Sequence, residues 1–360
     1  MPCGSLETIA ADLDFPALCN ALDPEFVLGC LRDARTLTDP HAALTSVEVL
    51  NHKPGKRCTV RFEVQCHNGG FEFIGKWYHN PDRAKSMHAL LTTLEAAQIR
   101  LPHTIHVSDA GVFFQHFIRG QELRHIVASA DPKPFAEAGL WLAGLHALPP
   151  LPGLKEKPLV HELAKIAAWE KEIAGLAPEF AGALTKTARA LENQAAHIGR
   201  VPCAPIHRDC SPANLLWDGE RLWGIDFDQM ATGDPAMDVG SFLAQLEKIA
   251  IRDDLPREVF ERKAAAFLDA YCALGVDLGV RLPFFTSYTF LRVASAEVQR
   301  QRPRWRELAK AFLDRAHEEA SLRQRDPSRR SAGLAESVDT RKPALSARTR
   351  HALKAAASEL

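Results

Sequence analysis

Apolar and polar residues alternate with a period of two in three successive stretches early in the chain. Thr45-Ser-Val-Glu-Val-Leu50, Cys58-Thr-Val-Arg-Phe-Glu-Val64 and Phe71-Glu-Phe-Ile-Gly-Lys-Trp77 each put every second side chain on a common face, as a half-buried strand does. Lys53-Pro-Gly-Lys-Arg57 and Asn68-Gly-Gly70 separate them and suit tight turns, so the three read as an antiparallel meander. Residues 104–108 and 112–118 add two strands around Asp109-Ala-Gly111. Helical spacing governs elsewhere. A helix is expected over 12–37, ahead of Pro40, and another from Asn80-Pro-Asp82 to about Ala97. After Gly120, apolar stripes at spacings of three and four predict helices over 134–148, 159–176, 179–198, 259–274, 284–300 and 305–323. One hairpin, Leu215–Phe227, turns at Asp218-Gly219 among them. The fold class is α+β, a five-stranded antiparallel sheet with one internal helix followed by a mostly helical part.

Three segments follow from this order: an N-terminal lobe with a helical extension over 1–118, a helical lobe over 119–322, and a tail over 323–360. The tail holds nine Lys or Arg against four Asp or Glu, leaving 35 basic against 41 acidic residues in the rest. It has little to bury and is expected to be disordered. Net charge over 360 residues is −1, which gives no general attraction to nucleic acid or an anionic membrane. The eight cysteines form no C-x-x-C pair, so neither a zinc site nor a thioredoxin-like motif is expected. No stretch is apolar for long enough to span a bilayer, and the first 15 residues lack the regions of a secretory signal. The cytoplasm is the expected compartment.

Chemistry concentrates in Ile206-His-Arg-Asp-Cys-Ser-Pro-Ala-Asn-Leu-Leu216, followed by Ile225-Asp-Phe-Asp228 and Gly233-Asp-Pro-Ala-Met-Asp238. Phosphoryl transfer requires a carboxylate to orient the attacking hydroxyl, hard oxygen ligands for magnesium, and a lysine to steady the phosphates. An H-R-D-x-x-x-x-N loop supplies the first carboxylate and an amide ligand. A following D-F-x turn supplies the metal carboxylate. Both occur here in that order, with Asp226 twelve residues after Asn214.

On these residues the chain resembles the aminoglycoside phosphotransferase and choline kinase family over roughly residues 45–320. The resemblance implies a bilobal protein-kinase-like fold that moves the γ-phosphate of ATP to a hydroxyl of a small molecule, of the aminoglycoside, sugar or amino-alcohol class. It makes Asp209 the catalytic carboxylate, Asn214 and Asp226 the Mg2+ ligands, and His207 a support of the loop. Lys76 matches the phosphate-binding lysine. Gln115, His116 and Phe117 match the hinge that reads adenine through backbone groups. Leu145-His146-Ala-Leu148 and the Gly-Asp-Pro-x-x-Asp-Val stretch also look like family features. Only five residues separate Asp228 from Asp234, and no A-P-E follows, so there is no platform for a peptide and a small acceptor is favoured.

The chain departs from the family pattern in three places. The phosphate loop has one glycine, Gly55, flanked by Lys53, Lys56 and Arg57; it either approaches the phosphates or is a solvated turn. No glutamate stands early in the internal helix to pair with Lys76, leaving Asp82 and Glu95 as candidates. Arg208 occupies a place where small-molecule members often have glycine, and without an activation loop to read it is expected to be structural. Asp228 either assists the metal or substrate or is a turn residue. Asp234 and Asp238 are expected to hold backbone N–H groups or cap the next helix. Cys210 and the tryptophans 141, 169, 217, 223 and 305 are expected to be packing residues. Arg292, Glu297 and Arg300 are expected to form a solvated helix face, although the resemblance implies that such helices line the acceptor pocket. The rival to an enzyme is a nucleotide-binding pseudokinase with a regulatory role.

Overall fold

The alternating stretches become paired strands in the computed structural model, which describes Ile9 and residues 12–198, 203–273 and 275–321. Strands β1 (Ala43–Lys53), β2 (Arg57–Cys66), β3 (Gly69–Tyr78), β4 (Thr104–Ser108) and β5 (Val112–His116) form one antiparallel sheet in the order β1-β2-β3-β5-β4. Its two faces differ. On one, Cys58, Val60, Phe62, Val64, Phe73 and Trp77 are buried under the N-terminal segment. Phe62 stacks on Phe73 at 5.0 Å and Trp77 meets Phe114 edge-on at 5.7 Å, each pair adding about 0.5–1.5 kcal/mol beyond the area it buries. The other face turns Thr59, Ile74 and Lys76 toward a cavity.

The single helix expected over 12–37 is two elements, a short 3₁₀ helix (Pro16–Leu22) and helix α1 (Pro24–Asp33). The break lies at Asp23-Pro24. The Asp23 carboxylate accepts the Glu25 N–H at 3.0 Å, and Pro24 occupies a first-turn position where its missing N–H costs nothing. Helix α2 (Pro81–Ala96) starts as expected, with Asn80 accepting the Asp82 N–H at 3.0 Å.

The helical part comprises α3 (Lys133–His146), α4 (Leu159–Leu176), α5 (Ala181–Ala195), α6 (Ala236–Arg252), α7 (Arg257–Cys272), α8 (Arg281–Arg300) and α9 (Trp305–Ser321). Helix α6 is absent from the predicted stripes. Its first nine residues are all buried, Asp238, Gly240 and Ser241 included, so that half has no polar face from which a period could be read. Among the described residues no helix is long and apolar enough to cross a membrane. The tail expected at 323–360 lies outside the described residues.

Short strands set the chemistry in place. These are β6 (Gln121–Glu122), β7 (Ala204–Ile206), β8 (Leu215–Trp217), β9 (Leu222–Gly224) and β10 (Ala231–Gly233). Strand β7 pairs with β10, and β8 pairs with β6 and β9. The His207–Asn214 loop therefore runs from β7 to β8, and the Ile225–Met230 turn runs from β9 to β10. Two ladders fix the ends of both segments.

Candidate active site

The His207–Asn214 loop is held from below by a carboxylate. Asp238, fully buried in the first turn of α6, accepts the His207 N–H at 2.5 Å and the Arg208 N–H at 2.7 Å. His146 Nε2 lies 3.1 Å from the same carboxylate, and His146 Nδ1 lies 2.8 Å from the Tyr271 hydroxyl. This support bends the loop so that Arg208 takes φ = 64°, a left-handed conformation that a non-glycine residue holds only when its surroundings fix it. Asp234 caps α6 through the Ala236 N–H at 2.9 Å and binds Arg281 at 2.7 Å. The imidazole of His207 is buried, lies against Phe227, and reaches the Ile225 carbonyl at 3.0 Å, which ties the loop to the D-F-D turn. The Arg208 guanidinium lies 3.5 Å from Glu162 of α4, a packing role matching the expectation for it. Cys210 is buried, and burial pushes its thiol far above the usual range, so it is inert filler.

Asp209 is half-buried, and among the described residues its carboxylate has no hydrogen-bond or ion-pair partner. Its carbonyl accepts Asn214 Nδ2–H at 2.8 Å. That bond uses the nitrogen of the Asn214 amide and leaves its oxygen free as a hard donor.

Asp226 stands at φ = 60°, ψ = 58°, also left-handed. Lys76 Nζ is 3.8 Å and Arg57 Nη1 3.3 Å from its carboxylate. Burial opposes ionisation of Asp226, but Lys76 and then Arg57 outweigh it, so the carboxyl is held below the usual range. The carboxylate partner of Lys76 is thus Asp226. Glu95 is committed to Thr104, accepting its N–H at 3.1 Å and its hydroxyl at 2.9 Å, while Asp82 sits on the exposed side of α2. Behind Lys76, α2 presents Met87 and Leu91. Asp228 is also accounted for. The Tyr78 hydroxyl donates to its carboxylate at 2.6 Å, Arg83 donates to its carbonyl at 2.5 Å, and Arg57 forms an ion pair with it. Three residues from the sheet side therefore grip the D-F-D turn.

Lys76, Gln115, His116, Phe117, Asn214 and Asp226 line one cavity of about 350 Å³. Gly55 is not among its lining residues. Its backbone is left-handed at φ = 64°, and its N–H donates to Asp12 at 3.0 Å, with Asp12 bonded in turn to His52. The N–H groups of His116 and Phe117 are also used, by the carbonyls of His103 at 2.9 Å and Glu72 at 3.2 Å. Ile118 joins the lining. The paired register of β3 and β5 ends at His116, opposite Phe73, one residue before the Phe117 N–H reaches Glu72. A larger hollow of about 850 Å³ lies beyond the same hinge, but its charged groups satisfy one another, Glu72 pairing with both Arg61 and Arg119.

Strand β9, which leads into the D-F-D turn, also depends on a close approach. A Cβ on Gly224 would come within 2.0 Å of the Trp141 ring, which is fixed by its indole N–H bonding the Arg100 carbonyl at 2.9 Å. Gly224→Ala is expected to destabilise the fold by about 1–3 kcal/mol through overpacking. A thermal melt should show this as a fall of several degrees, and an unchanged melting temperature would mean that Trp141 yields freely.

A family model described as the phosphotransferase enzyme family matches residues 63–285. Among solved structures, the chain is similar to a putative aminoglycoside phosphotransferase from Ralstonia eutropha (13% identity, 82% of this chain and 98% of that one, TM-score 0.58). It is similar to a choline kinase from Cryptosporidium parvum (12% identity, 86% and 99%, TM-score 0.57) and to an amicoumacin kinase in complex with AMP-PNP, Ca2+ and Ami (12%, 84% and 96%, TM-score 0.57). At these identities the likeness establishes the shared fold. No curated protein matches the sequence. The family match spans more than half of the chain and contains every element of the site from Lys76 to Asp238, so the chain belongs to the phosphotransferase enzyme family, the small-molecule kinases of protein-kinase-like fold.

Proposed function

We propose that this chain transfers the γ-phosphate of ATP to a hydroxyl group of a small molecule, with the nucleotide between the lobes at 1–118 and 119–322. The observation that carries the reading is the convergence of Lys76, Asn214 and Asp226, from three separate elements, on one cavity beside the Asp209 loop. The adenine edge is assigned to the backbone at 116–118, with Ile118 N–H as donor. Lys76 and Arg57 steady the phosphates once these displace them from Asp226. Asp209 orients the acceptor hydroxyl and takes its proton as the oxygen attacks the γ-phosphorus and ADP leaves. Rate comes mainly from this alignment and from charge stabilisation.

The donor set fits Mg2+. Asn214 offers a free amide oxygen, and the Asp226 carboxylate already attracts two cationic side chains to the same point. Among the described residues no three His, Cys, Asp or Glu side chains form a metal cage, so a cation here takes its other ligands from phosphates and water, as Mg2+ does in kinases. The ion supplies charge neutralisation on the phosphate oxygens. The buried thiols of Cys30, Cys58 and Cys210 and the demand for ATP fit a cytoplasmic setting.

The test is ADP release from Mg·ATP across a panel of hydroxylated acceptors. Chelation with EDTA should abolish turnover, and added Mg2+ should restore it. The pseudokinase reading draws on Met87 facing Lys76 and on Arg57 closing over Asp226 and Asp228. ATP binding with no acceptor-dependent ADP release, in wild type and Asp209→Asn alike, would decide for it.

A further inference from the structure

On the far side of the catalytic loop lies a second cavity of about 280 Å³. It meets the nucleotide cavity at Arg124 and Ala213, and Ser211 and Pro212, two and three residues after Asp209, form one wall. The cavity thus borders the loop that carries Asp209 and leaves room there for a small acceptor. Its other wall is α6, through Gln245, Lys248 and Arg252.

The charge of this wall is one-sided. Lys248 is half-buried, and its Nζ donates to Gln245 Oε1 at 2.5 Å; among the described residues no carboxylate lies within ion-pair distance of it. Burial, then Arg252 and Arg292, then Arg300, disfavour its charge, with Glu297 the opposing influence, so its ammonium is pulled down to about 8. Glu297 is buried and already paired with Arg252. Among the described residues, Arg292 hydrogen-bonds only to Ser241 Oγ, at 3.5 Å. The solvated face expected for Arg292, Glu297 and Arg300 is therefore corrected: Glu297 is buried, Arg292 is half-buried, and only Arg300 is exposed. On the other wall stand Arg124, paired with Glu122, and His125. The lining offers one carboxylate, the exposed Asp253. An ammonium held among guanidiniums is unfavourable in the empty protein, and an anion placed against it relieves the repulsion. A site for a cationic amino-sugar or amino-alcohol requires the reverse, carboxylates around the ligand.

We propose that the acceptor is a small hydroxylated anion that presents its hydroxyl to Asp209 and its carboxylate or phosphate group to Lys248, with Arg292 behind it. This rests on the phosphotransferase reading above and narrows its acceptor class. In the reaction the hydroxyl proton passes to Asp209, an O–P bond forms to the γ-phosphorus, the bond to the β-phosphate oxygen breaks, and ADP carries away that electron pair. Lys248 remains a positioning residue.

The experiment is calorimetric titration of the full chain, with Mg2+ and a non-hydrolysable ATP analogue filling the nucleotide cavity. The probes are D-gluconate, D-glucose 6-phosphate, D-glucose and D-glucosamine. At least one of the two anions should bind about tenfold or more tightly than glucose and glucosamine, and which one does so separates carboxylate from phosphate recognition. Lys248→Gln should weaken that anion about tenfold or more, as expected for removal of a charged hydrogen-bond donor, and Lys248→Arg should restore part of the loss. Arg292→Gln gives a second, milder loss should Lys248→Gln unfold. Equal or tighter binding of glucosamine or glucose, no binding of either anion, or full anion affinity in folded Lys248→Gln would overturn the proposal. Adding Mg·ATP then separates the two claims. Lys248-dependent anion binding without ADP release sinks the transfer reading and leaves the anion site standing.

Discussion

Asp209→Asn is expected to lower the turnover number by about three to four orders of magnitude while ATP affinity stays within about twofold of wild type. Asp209 is half-buried, and its carboxylate has no protein partner among the described residues to hold. Its structural contact is made by the backbone, whose carbonyl receives Asn214 Nδ2 at 2.8 Å. Asparagine keeps the size of the side chain and the backbone contact, and loses only the ability to take a proton. The change therefore falls on the chemical step. Steady-state ADP release with a competent acceptor, beside calorimetric ATP binding, separates the two quantities. Loss of ATP binding together with turnover would show that Asp209 acts on the nucleotide instead. Turnover within tenfold of wild type would remove it from the chemistry.

The parts of the fold legible in the sequence were those dictated by neighbouring residues. Period-two alternation placed β1, β2 and β3 because one face of each is buried and the other is not. The spacing of Asn214 and Asp226 anticipates that the loop and the turn lie together, because a hairpin only a few residues long joins them. Distant pairing stayed hidden. The partner of Lys76 is Asp226, 150 residues away, and a search along the adjacent helix could only offer Asp82 and Glu95. The Glu95 carboxylate is fastened to Thr104 at the start of β4, a contact that no pattern within α2 announces.

Two misses had a signal. Asp23-Pro24 is a helix start in its own right, a capping side chain followed by proline, and it lies in the middle of the helix expected over 12–37. Asp234 and Asp238 were read as groups that hold backbone or cap a helix, and both do so, but the helix they begin was not delimited. Helix α6 is enclosed on every side in its first half and shows a polar face only toward its end. That end carries Lys248 and Arg252, which line the cavity beside Ser211 and Pro212. The element hardest to see by periodicity is thus the one on which the proposed anion specificity rests.

Asp238→Ala tests how far the catalytic loop depends on α6. The Asp238 carboxylate is fully buried and receives the N–H groups of His207 and Arg208 and a contact from His146 Nε2 at 3.1 Å. Alanine leaves two backbone donors and one imidazole without a partner in a site too enclosed for easy hydration. Each buried orphan costs about 1–3 kcal/mol, and removal of one member of a buried charged network costs about 3–5 kcal/mol in total. For a chain of this size that is a fall in melting temperature of about 4–7 °C. The same bonds hold Arg208 at φ = 64°, so the loop should relax toward an ordinary backbone conformation and carry Asp209 out of line. Turnover should fall about a hundredfold or more, even at a temperature where the variant is fully folded, because a displacement of about 1 Å is enough to misalign an in-line attack. Asp238→Asn keeps one acceptor and should lie between the two proteins in both measurements. A variant that melts well below wild type yet turns over normally when folded would show that the loop holds its shape without Asp238. Its bend would then have to come from the β7–β10 and β8–β9 ladders alone.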